Sequence, residues 1–338
     1  MVKNRQWRLI SFPSGRPEAS NWELVETEAP EVAPGHLLVK ALYLDVAPYM
    51  RGRISPQPNY AAGVGLGEVM VGGAVGRVLE SRSPGFAAGD LVVADFAFGW
   101  QEYAVLSPGD VRRIDPALAP LPYWLDLFGL NGLTAYFALF DAGAMKAGDT
   151  VLISAAAGSV GQIAGQLAKL AGCRAVAVTS SAEKAAWCRE AGYDAVIDYR
   201  AAADLPAAVA EACPQGVDLF LDNTAGPIHD AAMQNLALDA RVVVVGTASL
   251  ADTFGAPDTG PRFLRQILVA RATVCGFLFS DYAARHEAGR ARLRRWYEAG
   301  RIHSKFDIAE GIASMPDAFL RLLTSRNLGK QLVRLEGD

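Results

Sequence analysis

Gly158-Ser159-Val160-Gly161 is a candidate phosphate cradle. It follows a short apolar run, Val151-Leu152-Ile153, and opens a stretch of helical period with Gly161, Gly165, Ala168 and Gly172 on or near one face. A strand, a glycine turn and a helix in that order aim a helix N-terminus at a pyrophosphate. Gly158 would let the backbone approach the phosphates, and Gly161 would let the helix pack close to the strand. The first glycine of the usual fingerprint is replaced by Ala156, so the turn by itself also fits other α/β proteins.

The next strand sharpens the chemistry. Arg174–Thr179 ends in Thr179-Ser180-Ser181 rather than in Asp or Glu. A carboxylate there accepts hydrogen bonds from a free adenosine ribose, whereas hydroxyls and a cation suit a 2′-phosphate. Lys184 supplies the cation in a chain of only seven lysines, with Glu183 beside it as a mild counterweight. These residues predict NADP(H) rather than NAD(H).

Other chemistries find little support. Cys173, Cys188, Cys213 and Cys275 are far apart, as are His36, His229, His286 and His303, so neither a zinc site nor a disulfide framework is indicated. The net charge is −4, with 32 basic and 36 acidic residues mixed along the chain. The one basic cluster, Arg285 to Arg295, lies on a predicted helix with Glu287 and Glu298 and reads as a solvated face. No nucleic-acid partner is expected. The N-terminus lacks a signal-peptide core and no apolar run reaches transmembrane length, so a cytoplasmic protein without a membrane partner is expected.

These residues require elements to position them. At 338 residues, 51% of them hydrophobic, the chain can fill two cores. Residues 1–124 read as β-rich, with strands at 37–42, 76–79, 91–96 and 101–106 between glycine turns, which suggests a compact barrel. Residues 125–301 read as alternating strands and helices. After the first two strands come 195–199, 217–222, 241–246 and 273–278, with helices at 182–191, 203–212, 228–236 and about 260–271 between them and a final helix near 282–299. That pattern predicts an α/β doubly wound parallel sheet. Residues 303–338 read as irregular structure, a helix near 316–324 and a strand at 331–335 that rejoins the first domain.

Several motifs, in order along nearly the whole chain, are similar to one family: Pro48-Tyr-Met-Arg-Gly-Arg53, Gly132-Leu-Thr-Ala-Tyr136, Ala155-Ala-Ala-Gly-Ser-Val-Gly161, Asp198-Tyr199, Asp222-Asn223, Gly276-Phe277 and Asn327-Leu-Gly-Lys330. The chain resembles the zinc-free medium-chain dehydrogenase/reductases, in the branch of prostaglandin reductases, alkenal double-bond reductases and curcumin reductase. The resemblance implies a Rossmann domain (125–301) inserted into a GroES-like β-barrel domain (1–124 and 302–338), with the active site in the cleft between them. It implies NADPH-dependent, metal-independent reduction of the C=C bond of α,β-unsaturated ketones or aldehydes, and homodimers formed through the Rossmann domain.

By the same resemblance, Lys184 and Tyr199 contact the 2′-phosphate, and Asn223 and Gly246 lie along the cofactor. Phe277 and Leu278 flank the nicotinamide, Asn327 lies near it with Gly329, and Asn131, Thr134 and Val160 complete the cofactor positions. Tyr49, Met50 and Tyr60 fall on the substrate-side loop, and Arg51 is a candidate for steering an acidic substrate. Two departures stand out. Asn131 replaces a proline common in relatives, and Ser249-Leu-Ala-Asp252 lacks the tyrosine usual in that loop. With that tyrosine gone, Tyr49, Tyr60 and a ribose hydroxyl are the candidate donors to the enolate oxygen. An NADPH:quinone oxidoreductase and a non-catalytic NADPH-binding sensor are the competing readings.

Overall fold

The computed structural model describes residues 2–57 and 59–335. The chain divides into two compact units. One takes in the chain up to Gly129, the short segment Ala251–Ala256 and the chain from Phe306 onward; the other holds Leu130–Leu250 and Pro257–Lys305.

The first unit opens with an antiparallel pair, β1 (Lys3–Leu9) and β2 (Trp22–Glu28), which the sequence pattern does not reveal. The inward positions of β1 include Asn4 and Gln6, so the period-2 apolar signal is missing. Both are satisfied instead by hydrogen bonds. Asn4 donates to the Tyr103 carbonyl at 3.0 Å and accepts from the Tyr103 amide, and Gln6 donates to Thr27 at 2.9 Å. Then come β3 (Leu37–Asp45), the one-turn helix α1 (Met50–Arg53), β4 (Ala74–Ser81), β5 (Leu91–Ala94), β6 (Tyr103–Leu106) and β7 (Arg112–Arg113).

The second unit begins with α2 (Leu130–Phe137) and then alternates: β8 (Thr150–Ile153), α3 (Ser159–Leu170), β9 (Arg174–Thr179), α4 (Ala182–Glu190), β10 (Ala195–Asp198), α5 (Leu205–Ala212), β11 (Val217–Asp222), α6 (Gly226–Met233), β12 (Leu236–Val244), α7 (Leu264–Ala270), β13 (Thr273–Gly276) and α8 (His286–Glu298). All six strands are parallel, in the order β10-β9-β8-β11-β12-β13. Every residue of β8 is buried, as a central parallel strand covered on both faces requires. On one face Leu152, Val176, Phe220 and Val242 pack with Val209 of α5 and Ala231 and Ala232 of α6. β12 starts at Leu236 rather than Arg241, because an irregularity with Asp239 at φ +59 interrupts its pairing to β11. On α8 Arg294 pairs with Glu298 on a solvated face, whereas Arg290, paired with Glu287, has its side chain largely buried. Among the described residues no helix is long and apolar enough to cross a membrane.

The chain then returns to the first unit with β14 (Phe306–Glu310), α9 (Met315–Leu323) and β15 (Lys330–Arg334). β15 joins β3 antiparallel, as expected of a strand without a partner in the parallel sheet. The expectation of irregular structure before α9 fails, because β14 runs there parallel to β15. The larger sheet of this unit runs β14-β15-β3-β4-β5-β7, with β6 also on β3. Its core is built on Trp22, Trp100 and Phe319, whose rings lie 5.5–5.9 Å apart.

Candidate nucleotide-binding site

The order of the parallel strands reverses between β8 and β11, and ligands of open α/β sheets bind outside the carboxyl ends at such a switch point. The two strand ends are tied together there. The Ser154 hydroxyl donates to Asp222 at 3.2 Å and accepts from the Asn223 amide at 2.8 Å, while the Asn223 side chain donates to the Ser154 carbonyl at 2.8 Å. Asp222 is wholly buried; it also accepts from the amides of Thr224 and Ala225, and its second oxygen lies 2.8 Å from His229 Nδ1. That bond, more than any other influence, raises the His229 imidazole above its usual range. No local spacing marks Ser154 or His229 as members of this network, whereas Asp222-Asn223 is a motif of the chain.

The glycine turn fits a bound pyrophosphate. A Cβ added to Gly158 would lie 3.1 Å from the Ala155 carbonyl oxygen, and one added to Gly161 would lie 2.5 Å from it and 2.6 Å from Ala156 Cα. The first turn of α3 therefore meets the preceding turn backbone to backbone at Gly161, where a side chain has no room. The turn carries one left-handed residue, Ala155 at φ +48. Gly158 caps α3 without a side chain, which leaves the first-turn amides, Val160 among them, open toward a ligand. Tyr193 fills the space above Gly165, and its hydroxyl donates to the Gly161 carbonyl at 2.7 Å.

The neighbouring strand ends bring the other polar groups to the same edge. Thr179 and Ser180 are buried at the end of β9, and Lys184 sits in the first turn of α4, whose N-cap Ser181 accepts from the Lys184 amide. Tyr199 follows β10, with the Arg200 guanidinium 5.7 Å from its ring. Gly246 follows β12, and a Cβ there would lie 3.1 Å from the Asn223 carbonyl oxygen. Phe277 follows β13 and stacks on Tyr282, which stacks in turn on Phe137 of α2. Leu278 beside it is partly exposed, whereas Asn131 and Thr134 are buried within α2. Burial pushes the Cys173 and Cys213 thiols up to about 11 and Cys188 to about 12, which removes them as nucleophiles at neutral pH.

The remaining predicted residues belong to the first unit. Asn327 is buried and donates to the carbonyl of Gly329, which is left-handed at φ +75. Met50 lies in the hydrophobic core at 0% exposure. Arg51 is 4% exposed: Nε donates to the Ala251 carbonyl at 2.8 Å, Nη2 to the Gly15 carbonyl at 3.0 Å, and the guanidinium lies 4.9 Å from the Phe254 ring centroid. Tyr49 packs edge-on against Phe96 with its hydroxyl buried and without a partner, while Tyr60 is 58% exposed. Where a loop tyrosine is absent, Ser249 donates to the Thr224 carbonyl at 2.6 Å and Asp252 pairs with Arg16.

Two family models match the chain: an N-terminal domain of oxidoreductase over residues 5–114, and a zinc-binding dehydrogenase over residues 159–292. Among the described residues no group of three or more His, Cys, Asp or Glu could hold a metal ion. The NADPH-dependent curcumin reductase of Escherichia coli (strain K12) is 36% identical over 344 residues, covering 99% of this chain and 98% of its own. Prostaglandin reductase 1 of Bos taurus is 35% identical over 340 residues, covering 99% of this chain and all of its own. The crystal structure of CurA in complex with NADPH from Vibrio vulnificus matches with a TM-score of 0.93 at 36% identity, covering 99% of this chain and 100% of that one. With relatives of this similarity along its whole length, the chain belongs to the medium-chain dehydrogenase/reductases, in the zinc-free branch of the curcumin, prostaglandin and alkenal reductases.

Proposed function

We propose that this oxidoreductase, whose cofactor is NADP(H), reduces the C=C bond of α,β-unsaturated ketones and aldehydes. The observation that carries the reading is the convergence of Gly158–Gly161, Thr179–Lys184, Tyr199, Asn223, Gly246 and Phe277 on the carboxyl edge of one parallel sheet. When bound, NADPH supplies a hydride to the β-carbon of the acceptor. In this reading the α3 amides bind the pyrophosphate, and Thr179, Ser180, Lys184 and Tyr199 bind the 2′-phosphate. Phe277 and Leu278 wall the nicotinamide, and Asn327 lies near it.

Hydride addition to the β-carbon of an enone places negative charge on the carbonyl oxygen, and a proton taken up at the α-carbon, ultimately from solvent, completes the reduction. One well-aimed donor to that oxygen is worth about 3–4 kcal/mol. Tyr49 or Tyr60 is assigned that donation. Burial pushes the Tyr49 phenol well above its usual range, so it holds its proton at neutral pH and its unpartnered hydroxyl is competent to donate. The decisive assay is steady-state NADPH oxidation over a panel of enals, enones and quinones, with NADH as the control. Turnover on quinones alone, or on no acceptor, rejects the reading.

The chain is also assigned to a homodimer through the nucleotide unit. β13 is an edge strand, and Leu264, Leu268 and Val269 of α7 are 60–74% exposed. A monomeric mass by light scattering would reject this assignment.

A further inference from the structure

Two arginines leave the one-turn helix α1, and they have different surroundings. Arg51 is buried, with Nε and Nη2 on backbone carbonyls and Nη1 without a partner. Arg53 is half-buried and lies between the two candidate donors, its guanidinium carbon 5.8 Å from the Tyr49 ring centroid and 5.7 Å from that of Tyr60. Both distances fall within cation–π range. Arg53 also closes the loop that carries Tyr60. Its Nη1 donates to the Ala62 carbonyl at 2.6 Å, and its own carbonyl accepts from the Val64 amide at 2.7 Å. Gly63 permits that approach, since a Cβ there would lie 3.3 Å from the Arg53 carbonyl oxygen. Two polar atoms in this cluster are buried without a partner, the Tyr49 hydroxyl and Arg53 Nε. Orphaned buried polar atoms in a native protein call for an explanation, and a bound ligand is one.

We propose that Arg53 is a positioning residue for the reduction, a planar cation that holds Tyr49 and Tyr60 against each other and pins the backbone at Ala62 and Val64. This rests on the assignment of a tyrosine as the donor to the enolate oxygen. A guanidinium suits the task because it is permanently charged, flat enough to lie against rings, and has donors left for a carbonyl; an ammonium is a hydrated point charge that cannot do all three.

The test uses the full-length protein loaded with NADPH. Arg53→Met is expected to lower kcat on an enone by up to about 100-fold, the penalty of misplacing a reacting group by about 1 Å. NADPH affinity, read by cofactor fluorescence, is expected to stay unchanged. Arg53→Lys, which serves also if the Met variant fails to fold, is expected not to restore kcat. In a background of Tyr49→Phe and Tyr60→Phe, Arg53→Met is expected to cost no more than about twofold further, because groups that act through one another are not additive. Wild-type kcat in both Arg53 variants overturns the proposal, as does a full additional loss in the tyrosine-free background. Chymotrypsin cleavage after Tyr60 reads the clamp without any substrate. Faster cleavage in Arg53→Met supports it even if no enone is reduced, in which case the assigned reaction fails alone; an unchanged cleavage rate overturns it.

Discussion

The candidate groups of the two units are fixed by different means. In the nucleotide unit they sit where strands end, and backbone holds them: Gly161 lies against the carbonyl of Ala155, Gly246 against that of Asn223, and the Phe277 amide donates to the Val244 carbonyl at 3.0 Å. In the first unit they sit on the one-turn helix α1 and on loops, and long side chains hold them. Arg51 spans 200 sequence positions to reach Ala251, and Arg53 closes a loop over its own helix. Backbone contact leaves no room for substitution but needs no particular side chain beyond glycine. Side-chain contact tolerates change nearby and fails at one residue.

That contrast can be broken at four points. The largest effect is expected at Gly161. Gly161→Val drives a Cβ into the backbone of Ala155 and Ala156 and is predicted to cost about 3 kcal/mol and to abolish measurable NADPH binding; wild-type thermal stability and fluorescence titration in this variant would refute the close approach. Arg51→Met comes next. It strands the buried Ala251 carbonyl and the half-buried Gly15 carbonyl and is predicted to cost about 2 kcal/mol in urea unfolding, yet to leave NADPH affinity intact. A loss of affinity there would mean that the division between backbone-held and side-chain-held groups is misdrawn. Lys184→Ala is predicted to weaken NADPH by roughly tenfold, about 1.5 kcal/mol for a charge-assisted bond, without affecting NADH. Equal weakening of both cofactors would remove the 2′-phosphate from Lys184.

The smallest effect is a pH dependence. Asp222 holds the His229 imidazole above its ordinary value near 6.5, with Asp230 and Asp258 adding to the shift. The protonated pair stabilises the fold fully below that ordinary value, and the contribution fades as pH rises through the raised folded value. The stability gap between wild type and His229→Gln should therefore narrow as pH rises from below the ordinary imidazole value through the raised folded value. A gap that widens would reverse the sign of the interaction.

The same contrast explains what the amino-acid order reveals. Val151-Leu152-Ile153 followed by Gly158 and Gly161 is local, so strand, turn and helix can be read within a dozen positions. Thr179-Ser180 and Lys184 are legible because a strand end and a helix start fix their distance along the chain. β1 is illegible because its buried Asn4 and Gln6 are polar and satisfied by partners far along the chain. The confinement of Arg51 is illegible for the same reason: no spacing near residue 51 announces a carbonyl at residue 251. The left-handed backbone of Ala155 is illegible too, because nothing in a run of three alanines marks one of them for positive φ.

Ala251–Ala256 has a practical corollary for anyone recombining such proteins. This hexapeptide lies in sequence within the nucleotide-binding half, yet its receptor is Gly15, Arg16, Arg51 and Gln57 of the other. A gene trimmed to the nucleotide-binding half would express the peptide without its seat, and the complementary trim would leave the Arg51 guanidinium facing an empty groove. Chimeras drawn from two relatives must therefore inherit residues 251–256 from the parent that donates Arg16 and Arg51, against the linear order of the chain.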